Sequence, residues 1–130
     1  MQEIKIGLIG FGTVGSGLAQ VLHEQQTRLK KRVGASIRLS KVADIMVDSL
    51  PNHIANDGQV ILTKDANDIF TDPKISIVVE LIGGIEPAKS FILKAIEHGK
   101  HVVTANKALL SMHGKEIFEA ASRKGVEVEF

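Results

Sequence analysis

Ile4-Lys5-Ile6-Gly7-Leu8-Ile9-Gly10-Phe11-Gly12-Thr13-Val14-Gly15 is the stretch that decides the fold. Its first half, Ile4–Ile9, is short, apolar and bounded by glycine, the composition of a buried strand. From Thr13 the period changes. Val14, Leu18, Val21, Leu22 and Leu29 recur at helical spacing, which predicts one helix with Gln20, Glu24, Gln25, Arg28 and Lys31 on its wet side. Between strand and helix, Gly10-Phe11-Gly12-Thr13-Val14-Gly15 fits the pattern G-x-G-x-x-G. Alone the pattern is weak; following a strand and opening a helix, it acquires a physical meaning. Gly10 allows a tight turn, Gly12 lets the backbone approach a pyrophosphate, and Gly15 lets the helix pack hard on the sheet. Free N–H groups near Thr13 and Val14 then face the phosphates. The competing reading is a sharp strand–helix turn that binds nothing.

Working outward, Gly34 is placed to end the helix after a Lys/Arg-rich last turn. Ile37–Ala43 reads as a second strand closed by Asp44. A carboxylate at the end of that strand can accept bonds from adenosine ribose hydroxyls and repel a 2′-phosphate, which favours NAD over NADP. Asp44 lies further past Gly15 than the roughly 20 residues of the standard pattern, and a helix two or three turns longer absorbs the difference. The alternative is a surface turn acid. Arg38 and Lys41 share the segment and could soften the exclusion of NADP.

Asp48–Asp57, with Pro51 and Asn52, reads as loop, Val60–Leu62 as a short strand and Asp65–Phe70 as a short helix. Ile75–Val79 is the strongest later strand. Pro87 suits a first helical position, with Phe91, Ile92, Ala95 and Ile96 leading to a stop at Gly99. His101–Thr104 is another strand, Ile117–Ala121 marks a helix that Gly125 can end, and Val126–Phe130 a last strand. Strands alternating with helices over residues 1–130 give one α/β domain of Rossmann type, a mainly parallel sheet with helices on both faces. Phe130 falls inside an expected strand, an odd place for a natural protein to stop.

The loop Glu80-Leu81-Ile82-Gly83-Gly84 follows the strongest strand and should line the same crevice, since ligands of open α/β sheets sit beyond the carboxyl ends of strands. Ile82, Gly83 and Gly84 are therefore candidate cofactor contacts, with a plain tight turn as the alternative. Thr104-Ala105-Asn106-Lys107 ends the next strand at that edge. Lys107 could donate to a substrate oxygen or to a cofactor carboxamide, with Thr104 and Asn106 holding the loop; most lysines, however, are simply solvated.

The 130 residues are 44% hydrophobic and 24% charged, with 16 Lys and Arg against 15 Asp and Glu. That near balance gives no support to nucleic-acid binding, and aromatic residues are only 4%, all of them Phe, less aromatic surface than a single-strand stacking platform needs. No apolar run approaches the roughly 20 residues of a membrane span, and no signal peptide follows Met1. The absence of cysteine excludes disulfides, zinc–thiolate sites and thiol nucleophiles. A cytoplasmic location is the expectation. His23, His53, His98, His101 and His113 show no metal-ligand spacing.

Taken together, Gly7–Gly17, Glu80–Gly84 and His101–Lys107 resemble the N-terminal cofactor domain of homoserine dehydrogenase, in order and in spacing, over nearly the whole chain. The resemblance implies a parent enzyme that interconverts L-homoserine and L-aspartate 4-semialdehyde with NAD or NADP in threonine and methionine synthesis. It implies cofactor contacts at Phe11, Thr13, Val14 and Gly83, and a catalytic lysine by the nicotinamide at Lys107. In that family a substrate-binding and dimerisation region with the other catalytic lysine follows, so a homo-oligomeric parent is implied. Residues 1–130 alone should bind cofactor without turnover. Rival readings are another amino-acid or sugar dehydrogenase, a non-catalytic nucleotide-sensing domain, and a methyltransferase using S-adenosylmethionine.

Overall fold

The computed structural model describes residues 2–55 and 58–130. Met1 and the end of the expected Asp48–Asp57 loop, Asn56 and Asp57, lie outside the described residues. The elements are β1 (Glu3–Ile9), α1 (Thr13–Glu24), α2 (Gln26–Val33), β2 (Ser36–Ala43), α3 (Asn52–Ala55), β3 (Ile61–Thr63), α4 (Asn67–Phe70), β4 (Ile75–Glu80), α5 (Ala88–Glu97), β5 (His101–Thr104), α6 (Lys107–Lys124) and β6 (Val128–Glu129). The strands form one sheet in the order β3-β2-β1-β4-β5-β6, and every neighbouring pair is parallel. This is the doubly wound order, whose direction reverses between β1 and β4.

The inner strands β1 and β4 are mostly apolar because both faces of the sheet are covered there, whereas β2, nearer the sheet edge, carries Ser36, Arg38, Ser40 and Lys41. Ile6 and Leu8 turn to one core, with Ala19 and Leu22 of α1 and Ile54 of α3. Ile9 and Val78 turn to the other, with Ile69 of α4, Ile92 of α5 and Ile117 of α6. Successive residues of a strand serve opposite cores, as the two-residue period requires.

The expected single helix after the glycine turn is two. It breaks at Gln25 (φ −103°, ψ 23°), and α2 buries no residue. The sheet-facing positions of α1 are Gly15, Ala19 and Leu22, while Val14 and Val21 of the expected apolar stripe are 64% and 51% exposed. The cause is closeness of packing: a Cβ on Gly15 would stand 2.1 Å from the Gly10 carbonyl oxygen. Small residues therefore take the contact face, and a pattern weighted toward large apolar side chains points about one residue away. The expected loop at 48–57 contains α3, a single turn whose Ile54 and Ala55 amides bond the Pro51 carbonyl, anchored by the buried Ile54. α6 starts well before Ile117, because the Asn106 side chain caps it by accepting from the Leu109 N–H. β4 extends to Glu80, Pro87 stands just before α5 rather than in its first position, and the other boundaries shift by one to three residues.

The amino edge of the sheet is fastened by a buried lysine. The Lys100 ammonium donates to the Asp72 and Ile75 carbonyls at 2.5 and 2.7 Å. Burial pushes its pKa below the ordinary lysine value, and the Asp72 charge opposes this only in part. Burial alone would raise the Asp72 carboxyl. Hydrogen bonds from the Lys74 amide and from Lys41, at 3.1 Å, with the Lys41 and Lys100 charges, hold it below the ordinary carboxylate value.

Candidate functional site

Ala43, Ile9, Glu80 and Thr104 are register partners across β2, β1, β4 and β5. The segments that follow them leave the sheet side by side at its carboxyl edge, where the strand order reverses.

The glycine turn forms the first wall. Gly10 has a φ of +97°, and a Cβ there would lie 3.0 Å from the Ile82 nitrogen and the Leu81 carbonyl carbon; the first and second loops touch at this point. Gly15 is required by the Gly10 carbonyl beneath it. Gly12 differs from both: its backbone is extended (φ −80°, ψ −157°), and a Cβ would meet nothing within 4 Å. No side chain caps α1 and its first turn holds no acid, which leaves the first-turn amides of α1 to a ligand.

Asp44 is fixed by the turn itself. One carboxylate oxygen accepts from the Phe11 N–H at 2.7 Å and the other from the Met46 N–H at 2.8 Å. The carboxylate stitches the glycine turn to the end of β2 and keeps further lone pairs for a donor from outside. The Phe11 ring is buried in the core under the turn and its amide belongs to Asp44, so the side chain stays out of the crevice. The two cations placed near Asp44 in sequence turn elsewhere, Lys41 to Asp72 and Arg38 toward Glu3.

A cleft of about 440 Å³ opens between these loops, lined by Gly10, Gly12, Asp44, Met46, Lys64 and Ile82 among others, within the usual range for a small-molecule site. Lys64 was not singled out from sequence; it reaches this wall from just past β3 and bonds Asp48 at 2.7 Å and the Ile45 carbonyl at 3.2 Å. That bond and the Lys64 charge hold the exposed Asp48 carboxyl below its ordinary value.

The second wall stands on Glu80, the first residue of the Glu80–Gly84 motif but not one that sequence reasoning assigned to the site. Its side chain is 1% exposed and accepts from the Ile82 and Gly83 amides and from the Thr104 hydroxyl. Thr104 in turn accepts from the Asn106 N–H at 3.0 Å, and the Asn106 amide group donates to the Gly84 carbonyl at 2.6 Å. Gly83 and Gly84, at φ +82° and +72°, make the turn. Thr104 and Asn106 thus face inward, with their polar groups used by the loops. Lys107, the first residue of α6, is exposed at the same edge and makes no ion pair among the described residues. The structure brings Gly10, Gly12, Asp44 and Ile82 together in one cleft; Thr13, Val14, Gly15, Gly83, Gly84 and Lys107 lie around it rather than in its wall.

Among the described residues no group of histidine, aspartate and glutamate could hold a metal ion, and no helix is long and apolar enough to cross a membrane.

Residues 10–130 match the family model described as homoserine dehydrogenase, NAD binding domain. The homoserine dehydrogenase of Pseudomonas aeruginosa is 45% identical over 130 residues, covering 100% of this chain and 29% of that protein. That of Synechocystis is 48% identical over 127 residues, covering 96% and 28%. The crystal structure of a homoserine dehydrogenase from Thiobacillus denitrificans matches with a TM-score of 0.87 at 47% identity, covering 100% of this chain and 30% of that one. The chain spans less than a third of the length of these relatives.

Proposed function

This chain belongs to the homoserine dehydrogenase NAD-binding domain family, and on that premise we propose that it is the cofactor-holding part of an enzyme interconverting L-homoserine and L-aspartate 4-semialdehyde. The observation that carries the reading is Gly12. The fold itself asks for no missing side chain there, since a Cβ would meet open space, so the glycine serves what lies against it. The uncapped start of α1 beside it supplies amide donors, and a dinucleotide pyrophosphate is the ligand that uses both.

In this reading Gly10, Gly12 and Gly15 shape the cradle, the first-turn amides of Thr13 and Val14 hold the phosphates, and the remaining lone pairs of Asp44 accept the adenosine ribose hydroxyls. Ile82, Gly83 and Gly84 flank the nicotinamide half. When bound, the nicotinamide ring supplies the site that gives or takes the hydride. Lys107, at the mouth of β5, orients and polarises the substrate oxygen or the carboxamide through its ammonium. Thr104 and Asn106 act on the cofactor through the loops they tie. The substrate side belongs to the remainder of a longer, homo-oligomeric, cytoplasmic protein of threonine and methionine synthesis, and residues 1–130 bind cofactor without turning over homoserine.

NAD is the preferred cofactor, because a 2′-phosphate would meet the Asp44 carboxylate while Lys41 and Arg38 face other partners; Lys64 limits the margin. Calorimetric titration of the chain with NAD, NADP and S-adenosylmethionine tests this. NAD should bind more tightly than NADP, and S-adenosylmethionine should not bind. Asp44→Asn keeps an oxygen for the Phe11 amide, gives up the Met46 bond and loses the charge, and should narrow the NAD/NADP ratio. An unchanged ratio removes Asp44 from the ribose site.

A further inference from the structure

Glu80 is the most deeply buried acidic side chain among the described residues, at 1% exposure, and it makes no ion pair there. The sheet does not need an acid at this place. Its register neighbours Ile9 and Thr104 are apolar or neutral, and an uncompensated carboxylate is costly to bury. The need comes from the loop that follows. Glu80 Oε2 accepts from the Ile82 N–H at 2.8 Å and the Gly83 N–H at 3.1 Å, and Oε1 from the Thr104 hydroxyl at 2.6 Å. Through the Thr104 Oγ1 and Asn106 bonds the network returns to the Gly84 carbonyl and caps α6 at the Leu109 N–H. One carboxylate therefore fixes both the Ile82–Gly84 loop and the segment that leads into Lys107.

The direction of those bonds matters. A trans peptide places its carbonyl opposite its N–H. With the Ile82 and Gly83 amides turned down onto Glu80, the carbonyls of Leu81 and Ile82 turn away from it, and the Leu81 oxygen lies 3.1 Å from where a Gly10 Cβ would be. The second loop thus offers acceptors, complementary to hydroxyl or carboxamide donors, whereas the glycine turn offers donors, complementary to phosphate.

We infer that Glu80 is a positioning residue: through its bonds to the loop amides and to Thr104 it holds the second loop in the orientation that receives the non-adenosine half of the ligand. This rests on the dinucleotide reading above.

The test compares NAD with ADP, which shares only the adenosine and pyrophosphate half, on the 130-residue chain by calorimetry. Glu80→Gln places an NH₂ donor against donors. Thr104→Val removes the hydroxyl and Thr104→Ser keeps it. NAD should weaken about tenfold in Glu80→Gln and Thr104→Val, with ADP affinity unchanged and Thr104→Ser like the parent. Amide hydrogen exchange at Ile82 and Gly83 should accelerate in Glu80→Gln while the strand amides of β1 and β4 keep their protection. Parallel loss of NAD and ADP, or unchanged NAD affinity, overturns the inference. If the parent chain binds neither probe, the dinucleotide reading itself fails. Exchange then decides alone: faster exchange confined to the loop supports the role of Glu80 in fixing it, and unchanged exchange overturns that role.

Discussion

Gly12→Ala separates a glycine kept for the fold from one kept for a ligand. At Gly12 the backbone is one any residue adopts (φ −80°, ψ −157°) and the added methyl group meets no atom within 4 Å. Two small effects on stability oppose each other. Alanine lowers the entropy of the unfolded chain, worth about 0.4–1 kcal/mol in favour of the fold. It is also a poorer helix N-cap than glycine, by up to about 1 kcal/mol. The net change should stay within about 1 kcal/mol of zero. Binding should respond differently, because a methyl group on the outer side keeps the pyrophosphate from approaching the backbone. Loss of one charge-assisted N–H···O bond, about 1.5–3 kcal/mol, weakens NAD by roughly tenfold to a hundredfold. Urea unfolding and calorimetric titration of the same preparations measure the two quantities. A variant that keeps parental stability and parental NAD affinity would refute the assignment of Gly12 to the ligand.

Gly15→Ala should behave in the opposite way: its Cβ would stand 2.1 Å from a backbone oxygen, so overpacking should cost about 1–3 kcal/mol or more, with thermal stability and NAD affinity falling together. Lys100→Met leaves the Asp72 and Ile75 carbonyls without their buried donor and should lower unfolding free energy by about 1–3 kcal/mol in denaturant titration, with little effect on NAD affinity. Asp72 has a folded-state pKa below its unfolded value, so its contribution is fully present above the unfolded value of about 3.9 and is lost as pH falls through the folded one. Scanning calorimetry should show a shallower acid-side loss of stability in Asp72→Asn than in the parent, and identical acid profiles would contradict this.

The alternation of strands and helices and the parallel sheet were legible because most strands centre on a short apolar run and most breaks carry glycine or proline. The parts that were not legible share one cause: a partner distant in the chain decides them. The face of α1 is set by the Gly10 carbonyl under Gly15, which hydrophobic spacing does not record. The extra length between Gly15 and Asp44 is taken up by the separate helix α2 rather than by a longer α1. The start of α6 was written in Asn106, a good N-cap, but the apolar stripe resumes clearly only near Ile117 and drew the boundary downstream. Asp44 was legible as an acid at a strand end; its bond to the Phe11 amide was not. Glu80 had a signal that could have been read, an acid closing the most apolar strand immediately before a loop with paired glycines. Lys64 had none, since only the fold carries it from the end of β3 to the wall beside Asp44.

The central claim, that the carboxyl edge between β1 and β4 holds a nicotinamide dinucleotide, is tested most directly by titrating the ¹⁵N-labelled chain with NAD and following the backbone amides. The account predicts shifts concentrated at Gly10–Gly15, Asp44, Ile82–Gly84 and Thr104–Lys107, with Lys100 and the amino ends of the strands unmoved. Saturable shifts elsewhere, or none at NAD concentrations that saturate typical dinucleotide sites, would contradict it.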